Sequence, residues 1–263
     1  MIKLNIIDGV NFSGAGNGKI TRTAEGMAIG NIPGWECLID PAYMISGMST
    51  RQRAKPKSSA PLLAPTTLSQ FSSGQPAFSH AWASGAAASG ATTPQNAEIN
   101  PEAFTLFGVF QNAQLGKSSN PRALFFPTVA ADDTAKRQVR VMLTRDTGTF
   151  AVYSGEVSAA NRIAGYTSMS LVNMQAPKIF AATFSTQNGW GLHINGVEVA
   201  RNAESVTPVD SAYKAGEWCF YRENYGLAGM SGLINRDLST DDNSGYMQRL
   251  TDFLMEKYNI SRN

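Results

Sequence analysis

Between Gly189 and Ala200 the chain reads Gly-Trp-Gly-Leu-His-Ile-Asn-Gly-Val-Glu-Val-Ala, two alternating apolar runs joined by Asn195-Gly196. Asn and Gly take positive φ at little steric cost, and a two-residue type I′ turn needs that at both central positions. The dipeptide therefore predicts a tight β-hairpin. A two-residue loop sets Ile194 opposite Val197, His193 opposite Glu198 and Leu192 opposite Val199. Trp190, Leu192, Ile194, Val197 and Val199 then share an apolar face, while His193 and Glu198 share a polar one. The expected setting is an antiparallel sheet with one face on a core and the other toward solvent or a partner.

The flanking chain reads the same way. Trp35 to Ile39 forms an apolar run stopped by Asp40-Pro41, and beyond Pro101 short strands follow one another: Phe104–Phe110, Ala123–Phe126, Val139–Leu143, Phe150–Tyr153 and Lys178–Phe184. Turn signals at Asn120-Pro121, Asp146-Thr147-Gly148 and Gln187-Asn188 separate some of them. Many short strands with regular turns predict an all-β, antiparallel sandwich of jelly-roll kind. At the end the period changes: Tyr246, Leu250, Phe253, Leu254 and Tyr258 recur at three and four, the face of an amphipathic helix. Ser239 with Asp242 three residues on reads as a weak capping box, with Asp241 and Asp242 suited to the positive helix end. Metal binding by those two aspartates is the competing reading.

Two segments stand apart. From Ser58 to Ala97 there is no Asp, Glu, Lys or Arg, yet Leu62, Leu63, Leu68, Phe71, Phe78 and Trp82 are too many apolar groups for a solvated tether. An irregular segment lying against the domain or a neighbouring subunit is expected, since missing charge avoids a desolvation cost. Just before it, Arg51, Arg53, Lys55 and Lys57 lack interleaved aromatics and read as a solvated loop. The expected division is an N-terminal arm or hairpin over residues 1–34, followed by one sandwich over 35–263.

Composition narrows the chemistry. Charged residues make up only 16% of 263 and the formal charge is +2, which offers no argument for nucleic acid or an acidic membrane. Cys37 and Cys219, far apart, read as small buried residues rather than a bridge or zinc ligands. Met1 to Gly9 holds no apolar run of signal-peptide length and nothing later could span a bilayer, so synthesis in the cytoplasm without membrane insertion is expected. The histidines are His80 and His193, and Gly14-Ala15-Gly16-Asn17-Gly18 lacks the context of a phosphate-binding loop. No catalytic set and no cofactor are implied.

The aromatic strand at 104–110, the Lys-Ile-Phe-Ala-Ala-Thr-Phe strand, the Asn-Gly hairpin, the step Asn235-Arg236-Asp237-Leu238-Ser239 and the helix ending Phe253-Leu254-Met255-Glu256-Lys257-Tyr258 together resemble the concanavalin A-like lectin/glucanase superfamily. The resemblance is to the laminin G-like modules common in bacteriophage virion proteins, and it covers roughly Pro101 to Ile260. It implies a structural virion protein, a head decoration or tail-associated component made in the host cytoplasm, that contacts other virion proteins and itself as a homo-oligomer. The alternative is an adhesin recognising a host surface glycan. Trp190, Tyr221 or Tyr225 would then stack on sugar faces, with Asp132, Asp133, Asp146 and Asn188 as polar contacts. Each has a structural alternative in core or turn. No calcium ligand set can be matched, so metal binding stays unassigned. The paired carboxylates of the hydrolase branch, Glu-x-Asp-x-x-Glu, do not occur.

Overall fold

The computed structural model describes residues 28–45, 48–49, 60–63, 66–80, 90–92, 99–111, 122–128, 139–144, 149–154, 159–167, 175–208, 217–220 and 226–262. The predicted N-terminal hairpin, the basic cluster at 51–57 and the turns at Asn120-Pro121 and Asp146-Gly148 lie outside them. In chain order the strands are β1 (Trp35–Ile39), β2 (Met44–Ile45), β3 (Met48–Ser49), β4 (Ala60–Leu63), β5 (Thr66–Gln70), β6 (Pro76–His80), β7 (Gly90–Thr92), β8 (Ala103–Gln111) and β9 (Arg122–Thr128). They continue as β10 (Val139–Thr144), β11 (Thr149–Ser154), β12 (Arg162–Tyr166), β13 (Lys178–Ser185), β14 (Gly189–Ile194), β15 (Val197–Asn202), β16 (Glu217–Phe220) and β17 (Gly226–Ile234). One helix, α1 (Ser244–Tyr258), follows.

Two antiparallel sheets result. The first runs β15-β14-β13-β8-β17-β6-β5 with β1 also on β17, and the second runs β12-β11-β10-β9-β16-β7-β4-β3-β2. Alternation along β8 and β13 explains why the first sheet is buried on both faces. Phe104, Leu106, Phe110, Phe180, Ala182 and Phe184 point to the second sheet, where they meet Val141, Leu143, Phe150 and Val152 in the inter-sheet core. Phe150 and Phe180 cross between the layers at 5.1 Å, edge to face. The opposite residues, Phe107, Val109, Ile179 and Ala181, join Ile29, Ile32, Phe71, Leu250, Leu254 and Tyr258 in a second core beneath α1. A strand with two buried faces loses its polar alternation, and β8 is apolar almost throughout for that reason.

The helix is tied at its C-terminal end. Its C-terminal turn docks through Tyr258, whose hydroxyl accepts from the Met230 amide at 2.6 Å and whose ring meets Phe71 at 5.1 Å. Lys257 reaches Asp40, 1% exposed, at 2.8 Å. Asn259 ends the helix in the left-handed conformation at φ 54°.

Three expectations need correction. The charge-free segment is not irregular where it is described: it supplies β4 and β7 to the second sheet and β5 and β6 to the first. Cross-strand pairing overrides the weak strand preference of its Ser, Ala and Pro residues. The helix is not capped by Ser239 and Asp242, because it starts at Ser244 after Asn243, which makes no side-chain cap hydrogen bond. Its buried stripe is Met247, Leu250, Thr251, Leu254, Met255 and Tyr258, with Tyr246 and Phe253 only partly covered. Cys37 is fully buried in the inter-sheet core, and the Cys219 side chain lies outside the described residues.

Candidate functional site: a groove at the hairpin tip

The hairpin forms as its turn predicts. Asn195 and Gly196 have φ of 52° and 79°, Ile194 pairs with Val197, and His193 pairs with Glu198. The third rung differs: a bulge between Leu192 and His193 sets Leu192 opposite Ala200, Gly191 opposite Arg201 and Trp190 opposite Asn202. An extra residue flips every following side chain to the other face. Arg201 therefore leaves the core face and joins His193 and Glu198 beneath the chain leading into α1. Val197 is not in the core either; it is 60% exposed at the tip.

That face is polar but covered. His193 is 5% exposed, so of the two settings the alternation allowed for the polar face, solvent or a partner, it is not open to solvent. Burial lowers its pKa below the ordinary histidine value, outweighing the nearby Glu198 carboxylate. Asp237, 3% exposed, is the anchor of the surrounding network. Its Oδ1 accepts from the Ser239 amide at 2.9 Å and the Ser239 hydroxyl at 2.6 Å, and its Oδ2 accepts from the Ser185 hydroxyl at 2.7 Å. Ser239 Oγ in turn accepts from Thr183 at 3.2 Å and Arg201 at 3.0 Å. His193 Nε2 lies 3.4 Å from Thr183 Oγ1.

These contacts can all run in one direction, from the His193 ring N–H through Thr183 and Ser239 to the Asp237 carboxylate. Ser, His and Asp are thus neighbours without forming a nucleophilic triad. The Ser239 proton is held by Asp237, both of its acceptor positions are occupied, and the histidine faces Thr183 instead. The chemistry of this arrangement is anchorage. Arg201 completes it by binding Glu198 through Nε at 3.0 Å and the Asn188 carbonyl through Nη1 at 3.0 Å.

Around the hairpin tip runs a groove of about 740 Å³. Tyr166, Lys178 and Ile194 line its inter-sheet side, and His193, Leu238, Ser239, Met247, Gln248 and Thr251 line its helix side. It lies at a corner where β12 and β15, the edges of the two sheets, meet: Asn202 Nδ2 donates to the Ile163 carbonyl at 2.7 Å. The tip is seated on the helix so closely that a Cβ at Gly196 would lie 2.7 Å from the Thr251 methyl. Asn195 secures it from the other side, accepting from the Ile179 amide at 3.0 Å. Among the described residues no group of three or more His, Cys, Asp or Glu is arranged to hold a metal ion.

Of the residues predicted to contact a glycan, two are described, and neither lines this groove. Trp190 is 2% exposed, its ring packed 5.6 Å from Phe104 and 4.9 Å from Phe184. It is a core residue, as its register with Leu192 requires, so its face is closed to a sugar. Asn188 occupies the β13–β14 turn, its amide donating to Ser185 Oγ at 3.1 Å. Asp132, Asp133, Asp146, Tyr221 and Tyr225 lie outside the described residues. Tyr166, Lys178, Gln248 and Asp252 were not legible as site residues: the hairpin and the helix were each readable, but not their adjacency.

No family model matches the chain, and no curated protein matches it. Solved structures do. The binding domain of Paraclostridial mosquitocidal protein 1 superimposes with TM-score 0.55 at 9% identity, over 84% of this chain and 52% of that one. The botulinum neurotoxin serotype C1 binding domain gives 0.53 at 8%, over 80% and 51%. A Trypanosoma rangeli sialidase in complex with 2,3-difluorosialic acid gives 0.54 at 13%, over 84% and 33%. The chain spans about half the length of the toxin domains and about a third of the sialidase. These likenesses define the class by fold: an antiparallel, lectin-like β-sandwich of jelly-roll kind with a C-terminal helix.

Proposed function

We propose that this chain is a carbohydrate-binding domain whose ligand lies in the groove around the hairpin tip. The observation that carries the reading is the composition of that groove. A half-buried Tyr166 ring, Ile194, Val197 and Met247 offer apolar surface beside Lys178, Glu198, Gln248 and Asp252. A pyranose presents both C–H faces and a ring of hydroxyls, so it needs such a mixture. The likeness to two toxin binding domains supports a binding role over a catalytic one. A glycan-array screen followed by calorimetry tests it. Tyr166→Ala and Val197→Arg are each expected to weaken binding roughly tenfold or more, with the thermal transition unchanged for the exposed Val197 and somewhat lowered for Tyr166, whose ring packs partly on the inter-sheet core. Full affinity in both variants would move the ligand elsewhere.

A second reading, that the domain is displayed on a phage particle as an oligomeric virion component, rests on the sequence resemblance and on one edge of the sandwich. Strand β5, Thr66-Thr67-Leu68-Ser69-Gln70, ends the first sheet without a charge or a proline, and Leu68 is 59% exposed. Such an edge invites another strand. Light scattering across a concentration series is expected to give a closed oligomer that Leu68→Lys dissociates. A monomer at every concentration would remove the self-assembly half of this reading.

A further inference from the structure

Among the described residues, the ionic pairs around the groove leave one charge over, in a lining that also holds the Tyr166 ring. Four of the described lining residues carry a fixed charge: Lys178, Glu198, Asp252 and Arg262. Glu198 is held by the Arg201 guanidinium through both its carboxylate oxygens. Asp252 is paired with Arg262 across the C-terminal turn. Among the described residues Lys178 has no carboxylate partner, although it is only half exposed at the start of β13. His193, the remaining titratable group on the helix side, is buried and faces Thr183. Among the described residues the groove therefore carries an uncompensated positive charge on its inter-sheet side, which Tyr166 also lines.

Position sharpens the point. By alternation Lys178 lies on the same face as Phe180, and the turn residue Asn195 bonds its neighbour Ile179 through both amide and side chain. The lysine stem is thus rooted in a rigid rung beneath the hairpin tip, not on a loose loop. Partial burial lowers its pKa from the ordinary lysine value, with no carboxylate partner among the described residues. An ammonium kept partly dehydrated without a partner gains from an arriving anion more than a fully solvated lysine does.

Resting on the carbohydrate-binding reading, we propose that the saccharide this groove takes is anionic, its carboxylate or sulfate paired with Lys178 Nζ while the sugar face covers Tyr166. Neutral glycans lack the group that would neutralise the site. The class is set by the charge left over, and either acid satisfies it.

The test is calorimetric titration with matched probes. Trigalacturonic acid is compared with its methyl ester, which removes the charge and adds one methyl group at each carboxyl, and a sulfated carrageenan tetrasaccharide with its desulfated form. The acidic member of at least one pair is expected to bind roughly tenfold or more tightly, with affinity falling as salt is raised. Lys178→Gln should erase that preference, and Lys178→Arg should keep most of it. Which pair responds identifies the acid. Equal binding of charged and neutral members, or a preference that survives in Lys178→Gln, would overturn the anionic assignment while leaving the groove a carbohydrate site. No binding by any of the four probes, with the glycan array also blank, would overturn both. Circular dichroism of each variant separates lost binding from lost fold.

Discussion

Gly189→Ala is expected to destabilise the protein by roughly 3–5 kcal/mol, the combined scale of a residue forced into left-handed backbone and an overpacked contact. Gly189 opens β14 with φ of 65°, and a Cβ there would lie 2.0 Å from the Asn202 carbonyl oxygen and 2.9 Å from the Ala203 Cα. Both are backbone atoms at the end of β15, so no rotamer can relieve the contact. Either β15 must shift away from β14 or the turn must refold, and each route also loosens Arg201 and the groove. A urea titration followed by tryptophan fluorescence measures this directly, because Trp190 is the next residue. A midpoint equal to that of the parent protein would mean that β15 does not pack against the turn as described.

The second large effect is expected at Asp237. Asp237→Ala removes the acceptor of three hydrogen bonds and leaves the Ser185 hydroxyl, 6% exposed as a residue, together with the Ser239 amide and hydroxyl. Buried donors without partners cost about 1–3 kcal/mol each, and hydroxyls can turn to recover part of that, so a loss of roughly 3–5 kcal/mol is expected. Asp237→Asn keeps one oxygen and presents an amide to a hydroxyl able to accept, so its cost should fall to about 1–2 kcal/mol. The ordering of the two variants in chemical denaturation is the diagnostic. Equal losses would point to packing rather than to the hydrogen-bond network. Because Ser239 lines the groove, the alanine variant should also weaken saccharide binding under conditions where it remains folded.

Both effects fall where local reading stops. Asn195-Gly196 was legible because positive φ at consecutive positions is a property of those two residues, and it set the first two rungs. The bulge at Val199 was not legible. Strict alternation keeps Arg201 opposite Trp190 on the core face, where a guanidinium would lose its hydration without a partner. The extra residue turns it to the face where Glu198, Asn188 and Ser239 wait. Likewise, alternation put His193 on a face open to solvent or a partner, whereas the structure buries it against Thr183, beneath the chain leading into α1. Trp190 was a candidate sugar platform and a core residue at once from sequence; only its burial against Phe104 and Phe184 decides for the core.

The site shows the same division. The sequence by itself determined the class of fold, the tight turn, most of the long strands and the closing helix, since each follows from periodicity and from the φ preferences of a few residues. It also held Ser239 and Asp237 in the Arg-Asp-Leu-Ser step, but with Ser239 read as a helix cap and neither read as an anchor beneath the hairpin. Tertiary structure alone decided that a charge-free segment becomes four strands in two sheets, that the hairpin tip rests on Thr251, and that Tyr166 and Lys178 line one groove. The physical reason is range. Turn and helix preferences act over a few residues, whereas strand partners and groove walls are chosen by burial between segments dozens of residues apart, where no local signal carries the pairing.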